Sequence, residues 1–139
     1  MIYFIDTNIF LRVLVKEDKV SFQESKLFLR KVKEGKVRAV TGSLILAEVA
    51  WTLASYYQFS KKDVVESLEG IINLPKLKVI DSYRHQLALK LFKEMKVKYI
   101  DSLVASANGF QKGEWWIISY DRDFNKLGVK RVEPGKIRG

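Results

Sequence analysis

Short apolar runs that alternate with stretches of helical periodicity restrict what this chain can fold into. Residues 2–5 (Ile-Tyr-Phe-Ile) are continuously apolar, as expected of a strand buried on both faces, and Asp6-Thr7-Asn8 then offers helix-capping side chains. Ile9, Phe10, Val13 and Leu14 fall on one helical face. The spacing predicts a second helix over 21–34 that buries Phe22, Leu27, Phe28 and Val32 and is ended by Gly35. Residues 37–40 read as a strand and 44–57 as a long apolar helix. Ser60 caps a further helix that carries Val64, Val65, Leu68, Ile71 and Ile72 inward, closed by Pro75. The second half repeats this grammar: a strand over 77–80, a capping Asp81-Ser82, a helix through Leu87, Leu91 and Phe92, and another helix over 100–111. A strand over 115–118, a turn over 119–124 and an edge strand over 129–132 follow. Trp51, Trp115 and Trp116 lie in apolar segments and are expected in the core, and His85 at the surface near a helix start. The pattern implies an α/β fold, a three-layer α/β/α sandwich with a mainly parallel sheet of four or five strands, in one domain over 1–139.

The chain has no cysteine, which excludes disulfides, thiolate zinc sites and cysteine nucleophiles, and a single histidine makes an imidazole-rich metal site untenable. Catalysis here must run on carboxylates. The segment MIYFIDTN has no basic leader, and no later apolar run approaches a membrane span, so a soluble cytoplasmic protein is expected. The 25 lysines and arginines against 16 acids leave a formal charge of +9, a field that attracts polyanions, of which nucleic acid is the commonest. A thermophile's surface has a similar composition. Lys90, Lys93, Lys96, Lys98 and Arg122 are candidate phosphate contacts within what is otherwise a solvated basic face.

Asp6, Glu48, Asp101 and Asp121 stand where the pattern places strand ends or the helices that follow them. An open α/β sheet binds its ligand outside the carboxyl ends of its strands. Each acid has a local explanation: Asp6 as a helix cap, Glu48 on a solvated stripe with Thr52 and Ser55, Asp101 in a helix first turn, Asp121 and Asp123 in a turn, with Asp123 capping a last short helix. Gathered at one edge they acquire another meaning. Carboxylates without matching cations hold their protons unless a multivalent ion supplies the missing charge, and Mg²⁺ or Mn²⁺ is the economical candidate.

The residues in sequence order carry a resemblance to the PIN domain, and within it to the small ribonuclease toxins of the VapC type. It rests on Ile5-Asp6-Thr7-Asn8-Ile9, Leu46-Ala47-Glu48-Val49, Ile100-Asp101-Ser102-Leu103-Val104-Ala105, Ile118-Ser119-Tyr120-Asp121-Arg122-Asp123-Phe124 and the tail Gly128 to Pro134. The resemblance implies that Asp6, Glu48, Asp101 and Asp121 are catalytic and hold one or two Mg²⁺ or Mn²⁺ ions. It places Asp123 at a second metal position or behind the first, and gives Asn8 and Ser119 supporting roles in orienting carboxylates and water. It further implies hydrolysis of RNA phosphodiester bonds, a homodimer, and a small antitoxin partner, with Tyr56 and Tyr57 as candidate interface residues. Other readings are a PIN-fold RNA-processing nuclease, a catalytically silent RNA- or partner-binding module, and a Mg²⁺-dependent phospho-aspartate receiver. The last lacks a second acid beside Asp6, where Thr7 and Asn8 stand.

Overall fold

In the computed structural model, which describes residues 1–137, the strands are β1 (Ile2–Ile5), β2 (Arg38–Thr41), β3 (Lys78–Val79), β4 (Trp115–Ile118) and β5 (Arg131–Val132). They form one sheet in the order β3-β2-β1-β4-β5, and every neighbouring pair is parallel. The helices are α1 (Thr7–Val15), α2 (Lys19–Lys33), α3 (Ser43–Ser55), α4 (Lys61–Ile72), α5 (His85–Glu94), α6 (Tyr99–Ala105), α7 (Asn108–Gln111) and α8 (Asp123–Lys126), followed by a 3₁₀ turn over Pro134–Lys136. The chain order runs outward from β1 through β2 to β3, then returns to the other side of β1. The connections after β1 and β4 therefore part company and leave a crevice at their carboxyl ends, which is where such a sheet takes its ligand.

The core forms where both faces of the central strands are covered. Phe4, Ile5, Ile117 and Ile118 have no exposed surface, and Phe28, Val32, Val49, Leu53 and Phe124 close over them from the helices. Phe4 stacks on Trp115 at 5.6 Å between ring centroids, and Phe110 meets Trp115 edge-on at 5.5 Å. Helix boundaries follow local chemistry. Asp18 accepts from Ser21 N at 2.8 Å, Ser60 Oγ accepts from Asp63 N at 3.1 Å, and Gly35 leaves α2 with φ of +75°.

Several sequence expectations are corrected. Trp51 is not in the core but 69% exposed, because the turn of α3 that bears it faces away from the sheet. Leu27, Val65 and Ile72 are likewise half-exposed, each on the outer edge of its helical stripe. Asp81 does not cap α5; its carboxylate accepts from Ser43 N at 2.8 Å and Ser43 Oγ at 2.6 Å, and so caps α3 from the end of the adjacent strand β3. The helix expected over 100–111 is broken into α6 and α7, since Asn108 N donates to Ser82 O at 3.0 Å instead of continuing the helical ladder. The Ser119–Phe124 turn places the capping role on Asp121, whose Oδ1 accepts from Asp123 N at 2.9 Å, and not on Asp123.

Two glycines give opposite expectations. A Cβ on Gly109 would lie 2.0 Å from the Trp115 ring, whereas one on Gly70, inside α4, would meet nothing within 4 Å. Gly109→Ala should destabilise by roughly 1–3 kcal/mol through overpacking. Gly70→Ala should stabilise by about 0.5–1 kcal/mol through helix propensity. Urea unfolding of the two variants checks both signs, and equal effects would contradict the packing at Trp115.

Candidate active site

The crevice at the β1/β4 switch is lined by Asp6, Thr7, Asn8, Leu11, Glu48, Thr52, Lys98, Asp101 and Asp121 and encloses about 200 Å³. Each acid arrives on a different element. Asp6 follows β1 directly, with its amide donating to Ile118 O at 3.1 Å, so the sheet itself fixes its backbone. Glu48 projects from the second turn of α3, Asp101 from the first turn of α6, and Asp121 from the loop between β4 and α8. Asp6 and Asp101 are almost fully buried at 5% and 4% exposure.

Asp6 occupies the N-cap position of α1, yet its side chain makes no capping bond. Its Oδ2 accepts from Ser119 Oγ at 2.6 Å and from Asn8 Nδ2 at 3.0 Å. Asn8 Nδ2 also donates to Ser119 Oγ at 3.2 Å, while Asn8 Oδ1 accepts from Tyr120 N at 3.3 Å. Ser119 Oγ accepts in turn from Asp121 N at 2.9 Å. Asn8 and Ser119 thus tie the end of β1 to the end of β4 and lock the orientation of the Asp6 carboxylate. Thr7, read from sequence as a backbone and capping residue, donates its hydroxyl to Glu48 Oε1 and joins α1 to α3. Thr52, one turn beyond Glu48, completes that wall.

Asp123 stands apart from the other four in its pairing. Carboxylate oxygens of Asp101, Asp121 and Asp123 come within 4.8 Å of one another, but Asp123 is held by Lys126 at 3.2 Å. Asp6, Glu48, Asp101 and Asp121 have no lysine or arginine at ion-pair distance among the described residues. Asp101 Oδ2 is buried with no hydrogen-bond partner. A native interior rarely leaves a carboxylate oxygen in that condition, so the donor set as it stands is short of positive charge. An all-oxygen set of this kind suits a hard divalent cation.

The electrostatics agree. Desolvation first, and the Glu48 and Asp121 charges behind it, push Asp6 up to about 6 despite the Ser119 hydrogen bond. Desolvation likewise carries Asp101 to about 7, with Lys98 opposing and the other three acids reinforcing. For Lys98, burial works downward but is outweighed by Asp101, Glu48, Asp121 and Asp6, which hold its ammonium above the ordinary lysine range. Lys98 is the site residue that sequence reasoning did not separate from its neighbours. Its signal was positional: it occupies the N-cap of α6, where Ser, Thr, Asp or Asn is expected.

Both acids titrate higher in the folded state than in the unfolded chain, so the folded protein binds more protons between about pH 4 and 7. Their stabilising contribution is complete below pH 3.8 and disappears as pH rises through 6 to 7. Metal-free melting temperature should therefore fall across that window. Asp101→Asn should flatten the fall and raise the neutral-pH melting point by a few degrees (~). Melts recorded from pH 4.5 to 8 in chelator check this, and a parent curve that rises through the window would contradict the burial of these carboxylates.

Residues 3–130 match the family model described as PIN domain. A curated VapC ribonuclease from Aquifex aeolicus (strain VF5) is 26% identical over 131 residues, covering 94% of this chain and 95% of that protein. Among solved structures, VapBC2 from Rickettsia felis, bound to a DNA fragment from their promoter, superposes with a TM-score of 0.64 at 20% identity, covering 96% of this chain and 98% of that one. Mycobacterium tuberculosis VapC20, a sarcin-ricin loop cleaving toxin, does so with a TM-score of 0.65 at 16% identity, covering 95% and 99%. These structural likenesses establish a shared fold across nearly the whole chain. With the sheet order, the switch-point crevice and the family match in agreement, the chain belongs to the PIN domain family.

Proposed function

We propose that this protein is a divalent-metal-dependent endoribonuclease and the toxin of a toxin–antitoxin pair. The observation that carries the catalytic reading is the orphaned Asp101 Oδ2 in a crevice of four converging acids that lack ion-pair partners among the described residues. Asp6, Glu48, Asp101 and Asp121 are the residues that would hold Mg²⁺ or Mn²⁺. Asp123, whose carboxylate lies within 4.8 Å of those of Asp101 and Asp121, would serve a second ion, for which Lys126 at 3.2 Å competes. A bound ion would supply a water of lowered pKa and neutralise charge on the departing oxygen. The chain's own contribution is orientation. Ser119 and Asn8 fix which oxygen of Asp6 faces the cleft, and Thr7 does the same for Glu48. The crevice opens to solvent, so a strand of RNA can reach it, while the +9 charge supplies attraction that does not depend on sequence. The VapC relative from Aquifex aeolicus is named a ribonuclease and the structurally similar M. tuberculosis VapC20 is named a sarcin-ricin loop cleaving toxin, which supports RNA as the substrate class.

Mn²⁺ at a hundredfold excess over Kd should add about 2.7 kcal/mol to unfolding stability. The same ion should support cleavage of a mixed RNA pool that EDTA stops. Asp6→Asn, Glu48→Gln and Asp101→Asn should lower kcat by about a hundredfold or more while leaving RNA affinity nearly intact. Calorimetric melts and gel-resolved turnover provide both readouts. A parent protein that binds RNA yet neither cuts it nor gains stability from Mn²⁺ would leave the binding-module reading in its place.

The partner reading rests on a second observation. Phe10, Val13, Leu14, Leu29, Ile71 and Leu74, from α1, α2, α4 and the turn after α4, line an apolar groove of about 240 Å³. An amphipathic segment of a small antitoxin fits such a groove, and an arginine carried into the acid crevice would pair with carboxylates that otherwise take metal. The R. felis structure is of VapBC2, which supports a partner chain here as well. A homodimer belongs to the same reading, with exposed Trp51 and Tyr56 on a face a second copy would cover; sedimentation equilibrium reads it directly. Co-expression with the product of an adjacent small reading frame should yield a tight, inactive complex, and Leu14→Lys should free active enzyme from it without lowering its turnover. Normal growth of cells that strongly express active enzyme alone would count against the toxin role and leave the nuclease assignment standing.

A further inference from the structure

Lys98 breaks a local rule of helix capping. It takes the N-cap of α6 with φ of −72° and ψ of 149° and makes no side-chain cap bond. A cation at the positive end of a helix is unfavourable, and serine or aspartate in its place would satisfy an orphan amide. Such departures from local preference mark functional positions. Lys98 lines the acid crevice together with Glu48, Asp101 and Asp121, yet its ammonium lies beyond ion-pair distance of every carboxylate there. Among the described residues it is the only lysine or arginine lining that crevice, whereas Lys126 is committed to Asp123.

Charge balance shows what this ammonium is for. Four carboxylates with one divalent ion remain negative, and with two ions they are only neutral, so the summed charge of acids and ions gives no net attraction for a phosphodiester beyond what an ion would coordinate directly. Lys98 adds one positive charge, which makes the crevice net positive with two ions bound and halves its residual negative charge with one. We propose that Lys98 is the phosphate-engaging residue of the crevice, its ammonium donating to a non-bridging oxygen of the RNA phosphodiester and screening the carboxylates when no metal is present. This inference rests on the nuclease reading above, and it predicts two effects of opposite sign. Removing the ammonium should weaken RNA and strengthen metal, whereas a residue with a purely structural role would weaken both or neither.

Three variants separate these outcomes. Lys98→Met keeps the aliphatic stem, Lys98→Arg keeps the charge, and Lys98→Ser supplies a better helix cap. Each would be compared with the parent by titrating Mn²⁺ and following its free-ion electron paramagnetic resonance signal. Binding of a fluorescein-labelled single-stranded RNA of mixed sequence would be measured with Ca²⁺ present over a range of salt. For Lys98→Met, the Mn²⁺ dissociation constant should fall severalfold and kcat/KM on RNA should drop by roughly ten- to a hundredfold. Its slope of log affinity against log salt should be shallower by about 0.7. Lys98→Arg should recover most of the RNA binding. Lys98→Ser, saturated with Mn²⁺, should melt no lower than the parent while sharing the RNA defect. An Mn²⁺ affinity and salt slope unchanged in Lys98→Met, or RNA and metal affinities that fall together, would overturn the proposal. A parent that binds no Mn²⁺ would instead overturn the metal reading beneath it.

Discussion

Uncompensated negative charge at the switch point of a parallel sheet is the constraint on which the rest of this molecule depends. Folding brings four carboxylates to one crevice, two of them nearly dehydrated, and the fold must tolerate their mutual repulsion before any ion is bound. It does so by anchoring each on a different rigid element. Asp6 is held by the sheet, Glu48 and Asp101 by helices, and Asp121 by a turn that its own carboxylate closes. The backbone of each acid is thereby fixed, so repulsion is left to act only on side-chain torsions, which Ser119 and Asn8 restrain at Asp6 and Thr7 at Glu48. Rigid placement of this kind holds a site in a productive arrangement when its ligand is absent.

The bonds among the supporting residues show how the load is shared. Asn8 and Ser119 bridge the ends of two adjacent strands, so the distance across the crevice is set by the parallel pairing of β1 and β4. Glu48 lies farther from the sheet and depends on Thr7. A receiver-type phosphorylation site would use the same crevice with two acids at the first strand. Here that second place is taken by Asn8, whose amide donates to Asp6 and does not add a charge.

Periodicity made the central strands and most helices legible, because a run buried on both faces and an apolar stripe are local properties of sequence. Ile2–Ile5 and Trp115–Ile118 fell within the bounds expected. Trp51 did not reach the core because apolarity alone does not say which side of a helix lacks a neighbour. The break between α6 and α7 and the destination of Asp81 were hidden for another reason. Ser82 and Ser43, the partners that decide them, are remote in sequence. The convergence of the acids was legible because each falls at the carboxyl end of a strand or in a helix nearby, where topology does the gathering. Lys98 was not separated from the other lysines because its one local mark, a lysine at the N-cap of α6, shows only once the helix start is fixed at Tyr99, and its place in the crevice only in three dimensions.

The cap that Asp81 places on α3 gives that helix two unlike ends. Its first residue is clamped by two hydrogen bonds from the end of the neighbouring strand β3, with Tyr83 donating to the same carboxylate at 3.0 Å. Its last turn runs out to Tyr56, which is 73% exposed and stacked edge-on against Tyr57 at 4.8 Å. Glu48 sits nearer the clamped end. The helix is thus held at both ends, by Asp81 at its start and by the core around the fully buried Leu53 in its last turn, so a surface that grips the exposed Tyr56 ring meets a fixed rod and leaves the alignment of the acids unchanged.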